Sequence, residues 1–189
     1  MFVDLRGSTA LGETRLPYDV VFILNQFFAE LSAALQATGG HYSQFAGDGL
    51  LALYGLHSEI GPACRQALAG AAEMHRRVAL LNARLEPEMA APLRFGIGIH
   101  AGVAIVGTMG PPAAPIISAI GDTVNSAARL ESMTKQFGTT LVVSTDTLRY
   151  AGIALPDSPV HRVEVRGKVQ HIDVLAIDDP AILLLSEAL

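Results

Sequence analysis

Short apolar runs of strand length alternate along this chain with long stretches of helical periodicity, and that alternation restricts the fold more than any other feature. Phe2 to Leu5 reads as a strand ending beside a carboxylate, and a polar loop, Arg6-Gly7-Ser8-Thr9, follows. Pro17 suits the first turn of a helix, and Val20, Leu24, Phe27, Phe28, Leu31 and Leu35 recur at helical spacing. Gly39-Gly40 stops that helix. His41 to Ala46 and Leu50 to Tyr54 read as two strands around Gly47-Asp48-Gly49, which has the composition of a tight hairpin turn.

The Ala-rich stretch Ile60 to Leu85 predicts a long helix, and Pro87 and Pro92 mark a loop. Leu93 to Ile99 alternates small and large residues as a strand, expected to continue as Val103 to Val106 after a turn near Gly102. After a loop with Pro111, Pro112 and Pro115, Ile116 to Ile120 is a short strand. Gly121-Asp122-Thr123 opens a helix to about Phe137, with Asp122 or Thr123 expected as its N-cap. Leu141 to Ser144, His161 to Val165 and Ile172 to Ile177 are further strands, Thr145 to Tyr150 a short helix, and Ala181 to Leu189 a weak apolar tail. With no internal repeat or low-complexity linker, the pattern predicts one domain of α+β or mixed α/β type, residues 1–178, followed by the tail 179–189. Because the first residues already read as a strand, the chain is expected to be a piece of a longer protein, its preceding part a sensor or membrane region.

Composition narrows the function classes. Half of the 189 residues are hydrophobic and 16% are charged, as in an ordered globular chain. A net charge of −5 without a basic tract argues against nucleic acid as the main partner, while leaving room for a nucleotide neutralised by metal ions. The lone Cys64 forms no intrachain disulfide and suits a reducing compartment. No stretch reads as a membrane span or signal peptide, so a cytoplasmic domain without membrane contact of its own is expected. His57, His75 and His100 show no metal-ligand spacing, and neither G-x-x-x-x-G-K-[ST] nor G-x-S-x-G is present.

Asp4 ends a strand and Asp48 lies in the hairpin turn. If those strands are neighbours, the two carboxylates converge on one sheet edge, a donor set for Mg²⁺ or Mn²⁺ that leaves positions for phosphate oxygens. Read singly, Asp4 is equally a loop cap and Asp48 a turn residue. Asn125 and Arg129, four apart, share a helix face. They suit a sugar and a phosphate, or are a helix-start amide and a solvated guanidinium. Arg166-Gly167-Lys168 reaches phosphates or is an ordinary basic turn.

Taken together, four blocks resemble the class III adenylate/guanylate cyclase catalytic domain: Phe2 to Thr9, Phe45 to Ala52, Gly96 to Gly102 and Ala119 to Leu130. The resemblance runs from about Phe2 to Ile177. It implies an α+β fold, a mixed α/β sandwich with a ferredoxin-like, palm-type central sheet and helices packed on it. It also implies two divalent cations, Mg²⁺ or Mn²⁺, on Asp4, Asp48 and the Leu5 carbonyl. Asn125 matches the residue that positions the ribose, Arg129 the arginine that stabilises the transition state, and Arg166 a basic residue on the terminal phosphates. In the family the aspartates come from one subunit and the Asn/Arg pair from the other, so a homodimer with two composite sites is expected.

The chain departs from the family where the base is read. Gln44 stands where adenylate cyclases usually have Lys, and Ser118 where they have Asp or, in one subgroup, Thr. Gln44 donates and accepts, so it fits either base; the Ser118 hydroxyl is closest to the Thr subgroup, and ATP is the expected substrate with GTP the alternative. Ser8, often Phe in the family, is a smaller departure. A silent nucleotide-binding dimerisation module is the non-enzymatic alternative, disfavoured because both aspartates, the Asn and the Arg are present. A diguanylate cyclase or polymerase-type palm would suit Gly47-Asp48-Gly49 but not the Asn125/Arg129 block.

Overall fold

The computed structural model describes the chain apart from residues 47–48, 88, 156–157, 165–170 and 186–189, and side chains apart from these and those at 9, 10, 14, 44–46 and 185. Seven strands form one sheet in the order β2-β3-β1-β4-β7-β9-β8. They are β1 (Phe2–Arg6), β2 (His41–Ala46), β3 (Gly49–Leu53), β4 (Arg94–Ile99), β7 (Leu141–Ser144), β8 (Val160–Glu164) and β9 (His171–Ile177). Only β4 and β7 pair in parallel; the other neighbours are antiparallel. A separate ribbon pairs β5 (Ile105–Met109) with β6 (Ile116–Ile120). The segment expected to continue β4 therefore belongs to another sheet. Ile105 and Val106 are strand residues as expected, but pairing with β6 is a tertiary choice that local pattern does not encode.

Side-chain parity sorts the sheet into two faces. Phe95, Ile97 and Ile99 of β4 join Val3 and Leu5 of β1 in a core completed by α2 (Pro17–Thr38), α3 (Ile60–Leu85) and α5 (Thr145–Ala151). The opposite face carries α4 (Asp122–Phe137), whose Leu130 and Met133 pack on Val142, Val163 and Val174. Gly96 and Gly98 of β4 lie under α4. A Cβ on Gly98 would come 2.3 Å from the Ala127 carbonyl oxygen, so the absent side chains let helix and strand approach.

Some local readings shift. Ser8 and Thr9, expected within a loop, instead begin helix α1 (Ser8–Thr14) behind Gly7 at φ 72°; no apolar period marks it. Neither Asp122 nor Thr123 caps α4; Gly121 does, and Thr123 Oγ1 instead donates to the Val103 carbonyl at 2.6 Å. Helix α2 ends at Gly39, φ 74°, with the Gly40 amide donating to the Leu35 carbonyl at 2.9 Å. Contrary to expectation, α2 is long and apolar enough by length and composition to cross a membrane. Its Phe27, Leu31 and Leu35 are buried in the core and its Glu30 pairs with Arg77 and Arg84 of α3, the dress of a core helix. In the segment expected as a tail, Ile182–Leu185 is a short helix, α6, with Leu183 fully buried.

Candidate active site

β1 and β3 are antiparallel neighbours, and Asp4 is the register partner of Gly49, the residue that follows Asp48 in sequence. Asp48 itself, and Arg166, lie outside the described residues. Leu5 is buried, one residue past the last described β1–β3 pair, and opposite Phe95 on the other side. Asp4 shares the α4 face of the sheet with Gly96, its β4 partner, and its side chain is 25% exposed. Lys135, in the last turn of α4, brings Nζ to 3.8 Å from Asp4 Oδ2.

Arg6, two residues on and on the same face, ties the end of β1 to the loop after α4 by donating from Nη2 to the Thr139 carbonyl. Burial lowers the pKa of its guanidinium, helped by Arg94 across the strand pair and opposed by Glu131. The strand that carries Asp4 is thereby held at both edges and from above.

Asn125 and Arg129 are exposed on α4, turned away from the Ala127, Leu130, Glu131 and Thr134 side that lies on the sheet. Among the described residues neither makes a side-chain hydrogen bond or ion pair. Lys135, which touches Asp4, follows Asn125 by ten residues, about 15 Å along the helix axis. One chain therefore does not bring the Asn/Arg pair to Asp4.

The strands that carry the other two candidates do meet. β2 carries a bulge between Tyr42 and Gln44. Ser43, the extra residue, donates from Oγ to the Ile117 carbonyl at 2.8 Å, docking β2 on β6. Gln44 and Ser118 are the next residues on either side of that bond; Ser118 is 4% exposed and pairs with Gly107. Of the Gln44 side chain nothing is described. Lys135 and Ser43 were not singled out from sequence. Lys135 is a lone base on a polar helix edge, and Ser43 gains its place only from the bulge.

A cavity of about 450 Å³ elsewhere, lined among others by Tyr54, Cys64, His100 and Thr123, includes neither Asp4 nor Arg129. Burial raises the Cys64 thiol to about 11 and the Tyr54 phenol to about 12, so neither is poised as a nucleophile or base near neutrality. Among the described residues no three His, Cys, Asp or Glu gather as a closed metal centre. Mg²⁺ and Mn²⁺ need less: one or two carboxylates, with phosphate and water oxygens completing the shell. Asp4, partly exposed near the end of β1 and already drawing an ammonium, fits such an ion.

Comparison with known proteins follows the same lines. A family model described as the adenylate and guanylate cyclase catalytic domain matches residues 1–176. Adenylate cyclase 1 of Rhizobium meliloti is 31% identical over 183 residues, covering 94% of this chain and 27% of its own length. An adenylate cyclase of Anabaena cylindrica is 28% identical over 186 residues, 94% of this chain and 36% of its own length. The chain thus spans about a third of these curated relatives. The guanylyl cyclase Cya2 superposes with a TM-score of 0.83 at 28% identity, covering 93% of this chain and 88% of that one. The adenylyl cyclase CyaB from P. aeruginosa shares the fold at a TM-score of 0.76 and 24% identity, with 93% and 90% coverage.

Proposed function

The chain belongs to the adenylate and guanylate cyclase catalytic-domain family, and on that premise we propose that it converts ATP to 3′,5′-cyclic AMP and pyrophosphate at two sites shared by a homodimer. The observation that carries the shared site is the separation within one chain: Asn125 and Arg129 look outward while Asp4 lies at the far end of α4, under its other side. A second copy, related by a two-fold axis, supplies the missing half. Exposed apolar side chains offer it a surface: Val103, 93% exposed, and Ile105 on the ribbon, and Tyr18, 88% exposed, with Phe22 on α2.

Divalent ions on Asp4, Asp48 and the Leu5 carbonyl would lower the pKa of the ribose 3′-hydroxyl and screen the phosphate charge. The chain's own groups do the rest. Asn125 orients the ribose so that its 3′-oxygen lies in line with the α-phosphorus. Arg129 stabilises the charge that grows on the α-phosphoryl oxygens, and Arg166 holds the terminal phosphates. Gln44 and Ser118, neighbours through the Ser43–Ile117 bond, read the base edge. No covalent enzyme intermediate is needed, so positioning and electrostatics carry the rate. ATP is favoured by the Ser118 hydroxyl and by two relatives named as adenylate cyclases; the likeness to the guanylyl cyclase Cya2 favours GTP as the second reading. We extend the reading to a cytoplasmic catalytic segment, 1–178, of a longer signalling protein.

The test assays the chain with ATP and GTP side by side, with Mn²⁺ and with Mg²⁺. Asp48→Ala and Arg129→Ala are each expected to be nearly inactive. An equal mixture should regain about a quarter of wild-type activity, because half the dimers are mixed and each has one intact site. Two inactive variants that both dimerise yet never complement each other would end the shared-site reading, and a GTP-only product would move the substrate to the second reading.

A further inference from the structure

The contact between Lys135 and Asp4 has no place in the chemistry above. A divalent ion bound to Asp4 would sit about 2.1 Å from a carboxylate oxygen. The Lys135 ammonium lies 3.8 Å from Oδ2 of that same carboxylate. The two cations disfavour one another there, since like charges a few ångströms apart repel by a modest but measurable amount even in a watery site. The ammonium is the group that can leave: its side chain is 58% exposed, on a flexible four-carbon stem, against 25% for Asp4. It also has somewhere to go, because Lys135 is in the last turn of α4, where the helix carbonyls favour positive charge.

We propose that Lys135 is a built-in counter-cation of Asp4 that competes with the divalent ion and so sets the cation concentration at which the site loads. The inference rests on the reading of Asp4 as a metal ligand. It makes Lys135 a positioning residue that holds β1 to α4 when no ion is bound.

The test titrates the chain with Mn²⁺ alone, reading free Mn²⁺ by electron paramagnetic resonance without nucleotide. Lys135→Met is expected to lower the Kd for Mn²⁺ about three- to tenfold, the size of one neighbouring charge acting on a divalent ion across partly screened solvent. Lys135→Arg should stay within about twofold of wild type. Arg149→Met, which removes one positive charge from the exposed Arg149–Asp146 pair, should leave the Kd unchanged and so controls for net charge. The rise in melting temperature on adding Mn²⁺ should be larger for Lys135→Met than for wild type. Asp4→Asn separates the two failures. If it weakens Mn²⁺ binding while Lys135→Met leaves it unchanged or weaker, the counter-cation role is wrong and the metal reading stands. If Asp4→Asn leaves Mn²⁺ binding unchanged, the metal reading falls and this inference with it.

Discussion

Replacing Gly98 by Ala tests the closeness on which the placement of α4 depends. Gly98 lies within β4, opposite Phe2 on one side and Val142 on the other. A Cβ there would fall 2.2 Å from the Glu131 amide nitrogen, 2.3 Å from the Ala127 carbonyl oxygen and 2.8 Å from Glu131 Cα. All three atoms are α4 backbone, so no rotamer change relieves the clash. Ordinary non-bonded contact starts near 3.5 Å, so α4 and β4 must part by about 1.2 Å. Overpacking of this kind costs about 1–3 kcal/mol. Activity should suffer more, because α4 carries Asn125 and Arg129, and a displacement of about 1 Å costs on the order of 100-fold in turnover. Urea melts would read the stability, and kcat at saturating triphosphate the activity, with gel filtration comparing the variant's oligomeric state with that of the wild type. Gly12→Ala, whose Cβ meets nothing within 4 Å, is the stability control and should be neutral or slightly stabilising. If Gly98→Ala melts with the wild-type midpoint and turns over at the wild-type rate, α4 does not rest on β4 at this distance and the placement of its outward residues loses its basis.

Two further outcomes follow from the geometry. Hydrogen bonds from Arg76, then from Arg77, hold the Glu73 carboxyl at about 2, below its ordinary 4.5, so its contribution to stability is present above about pH 4.5 and lost as the pH falls through about 2; urea midpoints of wild type and Glu73→Gln should differ steadily from pH 5 to 8 and converge below. Installing the adenine-type pair, Gln44→Lys with Ser118→Asp, should raise the ATP-to-GTP ratio of kcat/KM at least about tenfold, and an unchanged ratio would mean that the base is read elsewhere.

Much of this architecture was legible from local pattern. The alternation of Phe95, Ile97 and Ile99 with Gly96 and Gly98 encodes a strand with one face for a bulky core and one for a close helix, and the two faces are used so. Pro17 and Gly39-Gly40 bound α2 because each acts on its own backbone dihedral. What escaped depends on partners distant in sequence. α1 lacks an apolar stripe and starts from the left-handed Gly7. The ribbon forms because residues 105–109 find β6 rather than extending β4. Thr123 has the chemistry of an N-cap, yet its hydroxyl goes to Val103, twenty residues upstream. Within the candidate site, the shared Asn125/Arg129 face follows from spacing, whereas the β1–β3 pairing, left as a condition by the sequence, is supplied by the structure. The Lys135–Asp4 contact spans most of the domain and no local rule predicts it.

These features converge on α4, which faces three ways. Its inner side is seated on two glycines with no room for a methyl group. Its outer side presents Asn125 and Arg129, which on the shared-site reading serve the partner's metal edge. Its last turn reaches Asp4 of its own chain, the metal ligand on the same reading. In a two-fold dimer each α4 therefore belongs to both sites at once, through opposite ends. A rigid seat is then a requirement as well as a packing result, since a helix free to rock would trade alignment at one site against the other. The glycine alternation of β4 supplies that seat, and this explains why the strand gives up side-chain burial on the face beneath the helix that carries Asn125 and Arg129.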